Sequence, residues 1–470
     1  MVTAQAAGVS HGVMPAATPF RLPLRAGVRG TTSAEVQRLP LTDRKVVLVR
    51  IDPARRRGAL AEADSGTLAE GARVALSERL PLVVVLASSG ADVVEGVASL
   101  HGWGRAARAL TACSGIVPVT FVVFGFALSG PALLLGLADL VVMTPDAIAY
   151  VSGPASVAQL TGLHLGPADL GGQRVHARAT GVAALLADDP EHGLEMAAAA
   201  IDYLPDNADE EPPAWPAGPG ADPAGRPTPE LRELLPAATT GSYDVRRAVA
   251  AIADGGDLLE LRAGWAPQLV TALTRIDGRP VGVVANQPQS MAGTLDIAAS
   301  QKGARFVTFC DTFNLPLLTL VDTPGFMPGK DLEWRGMIRH GAQLVFAYAE
   351  ATVPRVCLIM RKAFGGAYIV MDSKVMGNDL CLAWPSAQVA VMGAQGAVRI
   401  LHRREDPATQ ARLADDYEET YLNPYVAAAR GFVDEIIDPA DTRAVIASAL
   451  RMLATKRERI IGRKHANGPL

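Results

Sequence analysis

The stretch from residue 361 to residue 371 reads Arg-Lys-Ala-Phe-Gly-Gly-Ala-Tyr-Ile-Val-Met, and it decides the fold class. The apolar run 353–360 before it predicts a buried strand, and the residues after Gly365 and Gly366 can form a helix. A strand that ends at two glycines and turns into a helix places backbone N–H groups at a positive helix end. Such an end stabilises an oxyanion without a charged side chain. The alternative interpretation is that the glycines only permit a tight turn.

An imperfect second version of this unit lies upstream. The run 117–124 also predicts a strand, and it leads through Ser129-Gly130-Pro131 into an apolar stretch that can form a helix. Pro354 follows Pro118 by 236 residues, and residue 366 follows residue 130 by the same 236. Two halves with one unit each indicate a duplicated domain. The alternative is a coincidence between two apolar strand–helix units.

Composition bounds what the chain can be. Its 470 residues suffice for two domains with substantial cores, and 49% hydrophobic and 20% charged residues fit a globular protein. The formal net charge of −4 argues against nucleic acid as a partner. The four cysteines never form a CxxC pair, which predicts buried free thiols in a reducing compartment rather than a metal site. The N-terminus has no basic segment followed by an apolar core, so we expect a cytoplasmic protein.

One uncharged segment, 116–138, is long enough to span a bilayer. Pro118 and the Ser-Gly-Pro sequence at 129–131 interrupt it, and its first half is β-branched and aromatic. The matching segment of the second half carries Arg361 and Lys362. We therefore predict a buried strand and turn here, with no membrane segment.

Alternating strands and helices predict an α/β layered fold in both halves. Residues 1–40 are rich in Ala, Gly, Pro and Thr and are predicted to form a flexible lead-in. The first domain is expected at 41–207 and the second at 241–470. Between them, 208–240 is dominated by Pro, Ala, Gly and acidic residues, a composition that predicts a linker without a core.

The units above, with several further blocks, resemble the carboxyltransferase (β) subunits of biotin-dependent acyl-CoA carboxylases of the propionyl-CoA and acetyl-CoA carboxylase type. The resemblance is dense from about residue 243 to the C-terminus, looser from about 95 to 205, and poor before that. Several long blocks in the family's order make the match specific. In the second half these blocks are Ala285-Asn286-Gln287-Pro288, Ala292-Gly293-Thr294-Leu295-Asp296, Val321-Asp322-Thr323-Pro324-Gly325-Phe326, Leu382-Ala383-Trp384-Pro385 and Val391-Met392-Gly393-Ala394-Gln395-Gly396-Ala397-Val398.

The resemblance implies two tandem crotonase-like domains, each a ββα spiral. It implies hexamers in which each active site lies between the N-half of one subunit and the C-half of another. The implied reaction moves a carboxyl group from N1-carboxybiotin to the α-carbon of a short acyl-CoA. The chain has no biotinyl Met-Lys-Met motif and no glycine-rich ATP loop. A biotin carboxylase and a biotin carboxyl carrier must therefore be separate partners, and a second carboxyltransferase subunit is a further possible partner.

By resemblance, the second half holds the biotin oxygen. Its donors are the backbone N–H groups of Gly366 and Ala367, with Gly365 at the turn before them. The small residues Ala292 and Gly293 stand where a crotonase-like domain brings its other oxyanion-side strand close. The reaction needs no side-chain base, because the α-proton of the acyl-CoA can pass to the biotin anion itself.

Ile369 bears on the choice of acyl-CoA. In propionyl-CoA-type subunits this position is commonly Asp, by resemblance. A branched apolar side chain removes a charge beside the acyl tail and enlarges the apolar wall. The residue therefore predicts a selectivity other than strict preference for propionyl-CoA.

The first half departs from the family on the acyl-CoA side. The thioester carbonyl is expected at Ser129 and Gly130, where the family has Gly-Gly followed by Ala, but here Pro131 has no N–H to donate. Asp92 replaces an arginine of the family. The arginine run 55–57 stands in place of a Gly-Gly-Ser loop; it contacts CoA phosphates or forms a solvated surface.

These departures leave three functions open. The first is a catalytic carboxyltransferase subunit. The second is a decarboxylase that runs the same chemistry in reverse, with biotin as the acceptor. The third is a structural or half-active paralogue that completes a mixed oligomer, with an intact biotin side and a silent CoA side.

Overall fold

The computed structural model describes residues 20–21, 32–40, 42–54, 56–215, 221–238, 240–458 and 462–469. Within these ranges the chain forms two eight-stranded, mostly parallel sheets, one in each half. In the first sheet the strand order is β1-β2-β3-β4-β5-β6-β8, with β7 beside β5. The strands are β1 (Phe20–Arg21), β2 (Thr32–Arg38), β3 (Lys45–Ile51), β4 (Leu82–Ser88), β5 (Val119–Leu128), β6 (Leu140–Met143), β7 (Ile148–Tyr150) and β8 (Leu185–Leu186).

The second sheet repeats this plan, with the order β9-β10-β11-β12-β13-β14-β16 and β15 beside β13. In both sheets the first two pairings are antiparallel and the remaining ones are parallel. The strands are β9 (Leu258–Glu260), β10 (Leu269–Ile276), β11 (Arg279–Asn286), β12 (Leu317–Thr323), β13 (Arg355–Phe364), β14 (Leu380–Ala383), β15 (Gln388–Ala390) and β16 (Glu435–Ile436).

Helices follow or connect the strands. The α-helices are α1 (Glu62–Glu78), α2 (Val97–Cys113), α3 (Pro154–Thr161), α4 (Pro167–Gly171), α5 (Gln173–Val175), α6 (Pro190–Ile201), α7 (Arg246–Ile252), α8 (Ile297–Thr312), α9 (Lys330–Trp334), α10 (Met337–Glu350), α11 (Gly365–Val370), α12 (Ala394–Leu401), α13 (Pro407–Tyr421), α14 (Pro424–Ala429) and α15 (Thr442–Met452). A π-helical turn spans His176–Thr180, and the 3₁₀ helices include Arg56–Gly58, Val93–Glu95, Gly130–Leu137, Pro229–Glu233 and Met291–Gly293.

The duplication predicted from the two proline–glycine offsets agrees with the topology strand for strand. Val119 pairs with Leu82 in the first sheet, and Arg355, which is 236 residues later, pairs with Leu317 in the second. Both central pairings also carry a register shift near their carboxyl ends, one before Ser88 and the other before Thr323. A shared irregularity at equivalent positions is evidence of common descent rather than coincidence.

The central strands are continuous apolar runs because both of their faces are covered. All seven residues of β4 and all seven of β12 are buried. One core cluster contains residues of both halves, among them Val142 and Leu194 of the first and Leu273 and Ile359 of the second. The two sheets therefore share a core instead of forming separate globules.

Two segment predictions need correction. Strand β2 lies within 1–40, where the sequence predicts a flexible lead-in, and it pairs with β3 along its whole length; most of 1–40 lies outside the described residues. The prediction that 208–240 buries no core is wrong for 221–238, because Leu231 and Leu234 are buried there. Two leucines in a polar segment are enough to seat it on a neighbouring core.

The remaining global predictions concern membranes and cysteines. In the part of the chain that the structure describes, no helix is long and apolar enough to cross a bilayer. The segment 116–138 instead forms β5 and the 3₁₀ helix after it. All four cysteines are free and buried, as predicted.

Candidate active site

The turn from β13 into α11 has the geometry that the sequence predicts. Gly365 has φ +61°, and a β-carbon there would lie 3.1 Å from the Val391 carbonyl oxygen, so the position requires glycine. Gly366 and Ala367 are the second and third residues of α11. Their N–H groups belong to the first turn, where no intrahelical acceptor exists. The turn therefore presents two backbone donors at a positive helix end.

A second loop approaches the sheet near the same strands. Met291, Ala292 and Gly293 form a 3₁₀ turn with φ of +44°, +53° and +74°. A β-carbon on Gly293 would lie 2.6 Å from the Asp322 carbonyl oxygen, so only glycine lets this loop come so close to β12. The Asn286 side chain holds the loop by donating to the Gly293 carbonyl at 3.2 Å.

An apolar cavity of about 350 Å³ opens beside α11. It brings together Gly365, Gly366 and Ile369, three of the residues predicted for this site, and Ile369 is 38% exposed. Ala292, Gly293 and Ala367 are not part of its wall, and Ala367 is buried. The other lining residues are Tyr368, Ser373, Lys374, Val375, Val389, Ala390, Val391 and Phe432. Such a cavity suits an apolar group of a ligand better than a charged one.

A buried carboxylate fixes the strands beneath the turn, and the sequence shows it only as part of the Val-Asp-Thr-Pro-Gly-Phe block. Asp322 accepts hydrogen bonds from the Tyr243 hydroxyl at 2.8 Å, from Arg361 Nε at 3.0 Å and from the Lys362 N–H at 3.1 Å. Burial raises the pKa of Asp322, and the Arg361 guanidinium opposes that rise. These bonds join β12 to β13 at the register shift, so Asp322 is a positioning residue.

A second buried ion pair holds the other end of α11. Asp372, which follows the helix, accepts from Arg355 Nη1 at 2.7 Å, and both side chains are buried. Burial raises the pKa of Asp372 to about 6. Arg355 also donates to the carbonyls of Met376 and Gly377. The short helix is therefore anchored from below by charge-assisted hydrogen bonds.

The equivalent turn in the first half is poorer in donors. Ser129 has φ +63° and ψ −147°, and its N–H already donates to the Tyr150 carbonyl at 2.9 Å. Pro131 has no N–H, and the first bond of the following 3₁₀ helix runs from the Ala132 N–H to the Ser129 carbonyl. Gly130 is thus the one residue from 129 to 131 whose N–H remains for a ligand. Ser129, predicted as a donor, instead shapes the turn.

The arginine run beside this turn is held by contacts within the chain. Arg56 forms an ion pair with Asp92, the position where the sequence resemblance implies an arginine in the family. Arg57 lies over the Phe126 ring, 5.2 Å from its centroid. Arg55 lies outside the described residues. Asp92 also accepts from the Val94 N–H and so begins the 3₁₀ helix Val93–Glu95. Arg56 is therefore paired rather than a free cation.

Comparison with known proteins agrees with this geometry. Residues 42–468 match the carboxyl transferase domain family. The propionyl-CoA carboxylase beta chain of Saccharopolyspora erythraea is 44% identical over 429 residues, covering 88% of this chain and 79% of that protein. The methylmalonyl-CoA carboxyltransferase 12S subunit of Propionibacterium freudenreichii subsp. shermanii is 43% identical over 418 residues, with the same coverage. A crystal structure of transcarboxylase 12S with methylmalonyl-coenzyme A and methylmalonic acid bound superimposes with a TM-score of 0.90 at 40% identity, covering 94% of this chain and 85% of that one.

The chain belongs to the carboxyl transferase family. It is a carboxyltransferase of the kind that forms β subunits of biotin-dependent acyl-CoA carboxylases, and it has their crotonase-like fold. Both predictions made from the sequence are confirmed.

The strained turn at Ser129 gives a stability prediction. Backbone strain of a non-glycine residue in this region of φ and ψ destabilises the folded state by about 1–3 kcal/mol. Glycine has a smaller opposing effect, because its extra conformational entropy stabilises the unfolded chain by about 0.4–1 kcal/mol. We expect Ser129→Gly to raise the free energy of unfolding by about 1 kcal/mol, measured in urea at fixed protein concentration. Ser114→Gly, at an exposed serine with φ −56°, is the control and is expected to lose stability. Equal losses in both variants would contradict the strain argument.

Proposed function

We propose that this chain transfers a carboxyl group from N1-carboxybiotin, carried on a separate protein, to the α-carbon of a short acyl-CoA. The observation that supports this most is the repeated strand–helix turn, which gives each half a place for one developing anion. The second-half turn, with Gly366 and Ala367, suits the ureido oxygen of biotin. The first-half turn, with Gly130, suits the thioester oxygen.

The transfer balances without a side-chain base. The bond between N1 of biotin and the carboxyl carbon breaks, and negative charge develops on the ureido oxygen. The α-proton of the acyl-CoA passes to N1, and the enolate carbon then forms a bond to the released carboxyl carbon. The protein's part is to place donors at the two oxygens before charge develops, and removing one such donor typically costs about 3–4 kcal/mol of barrier.

The proposed ligand group beside Ile369 is the acyl tail of an acyl-CoA whose thioester is held by the first half of a neighbouring subunit. This side chain lies in the apolar cavity beside Gly365 and Gly366, and it carries no charge that would restrict the tail. A pocket difference of this kind shifts selectivity by about 1–3 kcal/mol. The proposed substrates are therefore short acyl-CoAs in general rather than propionyl-CoA alone.

The assembly proposed for the chain is a hexamer, because the structure of transcarboxylase 12S is described as a hexameric core of a multienzyme complex. Large apolar side chains stand exposed on both halves, among them Val94 and Leu160 on the first and Ile338 and Val391 on the second. Such side chains are available for burial between subunits. A biotin carboxylase and a biotin carrier complete the proposed complex.

A second candidate function has a specific observation behind it. In the first-half turn the Ser129 N–H is engaged and Pro131 has none, so one backbone donor, at Gly130, remains where the second half has two. A chain that only completes a mixed oligomer needs no working donor on the acyl-CoA side. Activity of the chain as the sole carboxyltransferase subunit separates the two candidates.

The central test combines this assay with Gly366. We expect the chain, with a biotin carboxylase and carrier, to carboxylate acyl-CoA, and Gly366→Pro to reduce the rate at least about a hundredfold because it removes one N–H. Gly366→Ala is the matched control, since it keeps the N–H and its β-carbon meets only the Phe326 ring at 3.6 Å. Circular dichroism checks folding. A folded Gly366→Pro enzyme with ordinary turnover would remove Gly366 from the mechanism, and an inactive parent would favour the second candidate.

Ile369→Asp tests the selectivity proposal. The variant places a carboxylate beside the acyl tail, so we expect relative activity to shift toward propionyl-CoA and away from longer chains. The measurement is kcat/KM for acetyl-, propionyl- and butyryl-CoA, with Ile369→Val as the apolar control. Unchanged ratios in the Asp variant would show that Ile369 does not face the acyl group.

Sedimentation velocity tests the assembly. Because each half offers one of the two anion sites, activity is expected to accompany a species of six subunits at micromolar concentration. A monomer that carries full carboxyltransferase activity would overturn the proposal of a site shared between subunits.

A further inference from the structure

The indole ring of Trp103 lies directly against the acyl-CoA-side turn. A β-carbon on Gly130 would lie 2.9 Å from Cε2 and Cζ2 of Trp103 and 3.1 Å from its Nε1. The ring leaves no space for a side chain at residue 130, so this position requires glycine. The Nε1 atom is buried, and it has no hydrogen-bond partner among the described residues.

A buried indole N–H without an acceptor is unusual, because leaving such a donor unpaired costs about 1–3 kcal/mol. Tryptophan carries one donor, and a buried one usually finds a partner. Apolar packing alone would be served equally well by phenylalanine. The retained N–H therefore points to an acceptor that arrives with a ligand.

The two halves differ in a way that identifies this acceptor. In the second half the turn keeps two backbone donors, at Gly366 and Ala367, and the ring nearest Gly366 is Phe326, which has none to add. In the first half one backbone donor remains, at Gly130, and the adjacent ring carries a free N–H. The side-chain donor is found where a backbone donor is missing.

The position of Trp103 is fixed by helix packing. It lies on α2, next to Gly102, where a β-carbon would meet Cα of Glu62 at 3.0 Å and Cβ of Ser65 at 3.1 Å. This close approach locks α2 against α1, so the indole is placed before a ligand binds. Preorganisation of this kind is what an oxyanion donor needs.

We propose that Trp103 donates its Nε1–H to the thioester carbonyl oxygen of the bound acyl-CoA and so replaces the backbone donor that Pro131 cannot supply. Together with the Gly130 N–H, it would stabilise the enolate oxygen as the α-proton leaves. This inference rests on the proposed function, in which the first half holds the thioester. It makes Trp103 a catalytic residue of that reaction.

Trp103→Phe removes the donor and keeps an aromatic ring. We expect kcat for acyl-CoA carboxylation to fall about a hundredfold, with little change in KM. Replacing Trp103 by benzothienylalanine, in which sulfur stands in place of the N–H in a ring of the same shape, should give the same loss. Trp215→Phe, at an exposed indole that packs on Arg275, is the matched control and should keep the parent rate.

Rescue separates a donor from a packing residue. Adding Pro131→Ala to Trp103→Phe restores a backbone N–H at the turn, so the double variant should regain most of the lost rate. In the parent background Pro131→Ala should change the rate much less. A loss that Pro131→Ala does not relieve would assign Trp103 to packing and overturn the proposal.

A second measurement does not depend on turnover. Propionyl-CoA with ¹³C at the thioester carbonyl, bound to the protein, reports hydrogen bonding through its infrared stretch. The stretch should move to higher frequency in Trp103→Phe and return in the double variant. An unshifted stretch in folded, substrate-saturated Trp103→Phe would overturn the proposal. A chain that binds propionyl-CoA with these shifts but transfers no carboxyl group would contradict the proposed function and leave the Trp103 hydrogen bond supported.

Discussion

The close approach of one backbone segment to another is the constraint on which both halves depend. In the second half the loop at Gly293 presses against the carbonyl of Asp322, and in the first half Gly58 presses even closer against the carbonyl of Ala87. No side chain fits between loop and strand at either place. This contact sets the distance between the loop and the strand–helix turn beside it, so the dimensions of each proposed anion site follow from it.

The two halves have kept this frame while their chemistry has diverged. In the second half, Asp322 ties β12 to β13 through a tyrosine, an arginine and a backbone N–H. The equivalent strand position in the first half is Ala87, which cannot make such bonds. Arg56 and Asp92 instead form an ion pair nearby. The half proposed to bind carboxybiotin keeps the stricter backbone geometry, and the half proposed to bind the acyl-CoA relies more on side chains.

Much of the fold could be read from the sequence because its central strands are apolar on both faces. The runs predicted as strands at 117–124 and 353–360 form most of β5 and β13. Strand β10 was missed, since Thr271, Thr274 and Arg275 break its apolar pattern, although all eight of its residues are buried. Arg275 is accommodated by Asp202 and by the Trp215 ring, contacts that join distant parts of the chain. No local pattern could reveal them.

For the candidate site, the local turns could be predicted from the sequence, but the contacts between distant residues could not. The glycine pair at 365–366 and the Ser-Gly-Pro sequence at 129–131 located the two turns, because helix-start geometry is local and leaves a mark in sequence. Sequence could not show that the Ser129 N–H is already engaged by Tyr150, since that bond depends on how β7 lies beside β5. Nor could it show Trp103 against Gly130, because α2 reaches that turn only through its packing on α1. Tertiary placement decided each of these points.

The core shared by the two sheets affects whether each half can be stable by itself. Because Val142 and Leu194 lie in the same buried cluster as Leu273 and Ile359, neither half hides its inner face alone. We expect that the two fragments stay associated after cleavage in 208–240. One half produced by itself would expose an apolar surface and aggregate. If both halves descend from one ancestral unit, that unit needed a second copy of itself to cover the same face. Joining two such copies in one chain makes permanent an association that would otherwise depend on protein concentration.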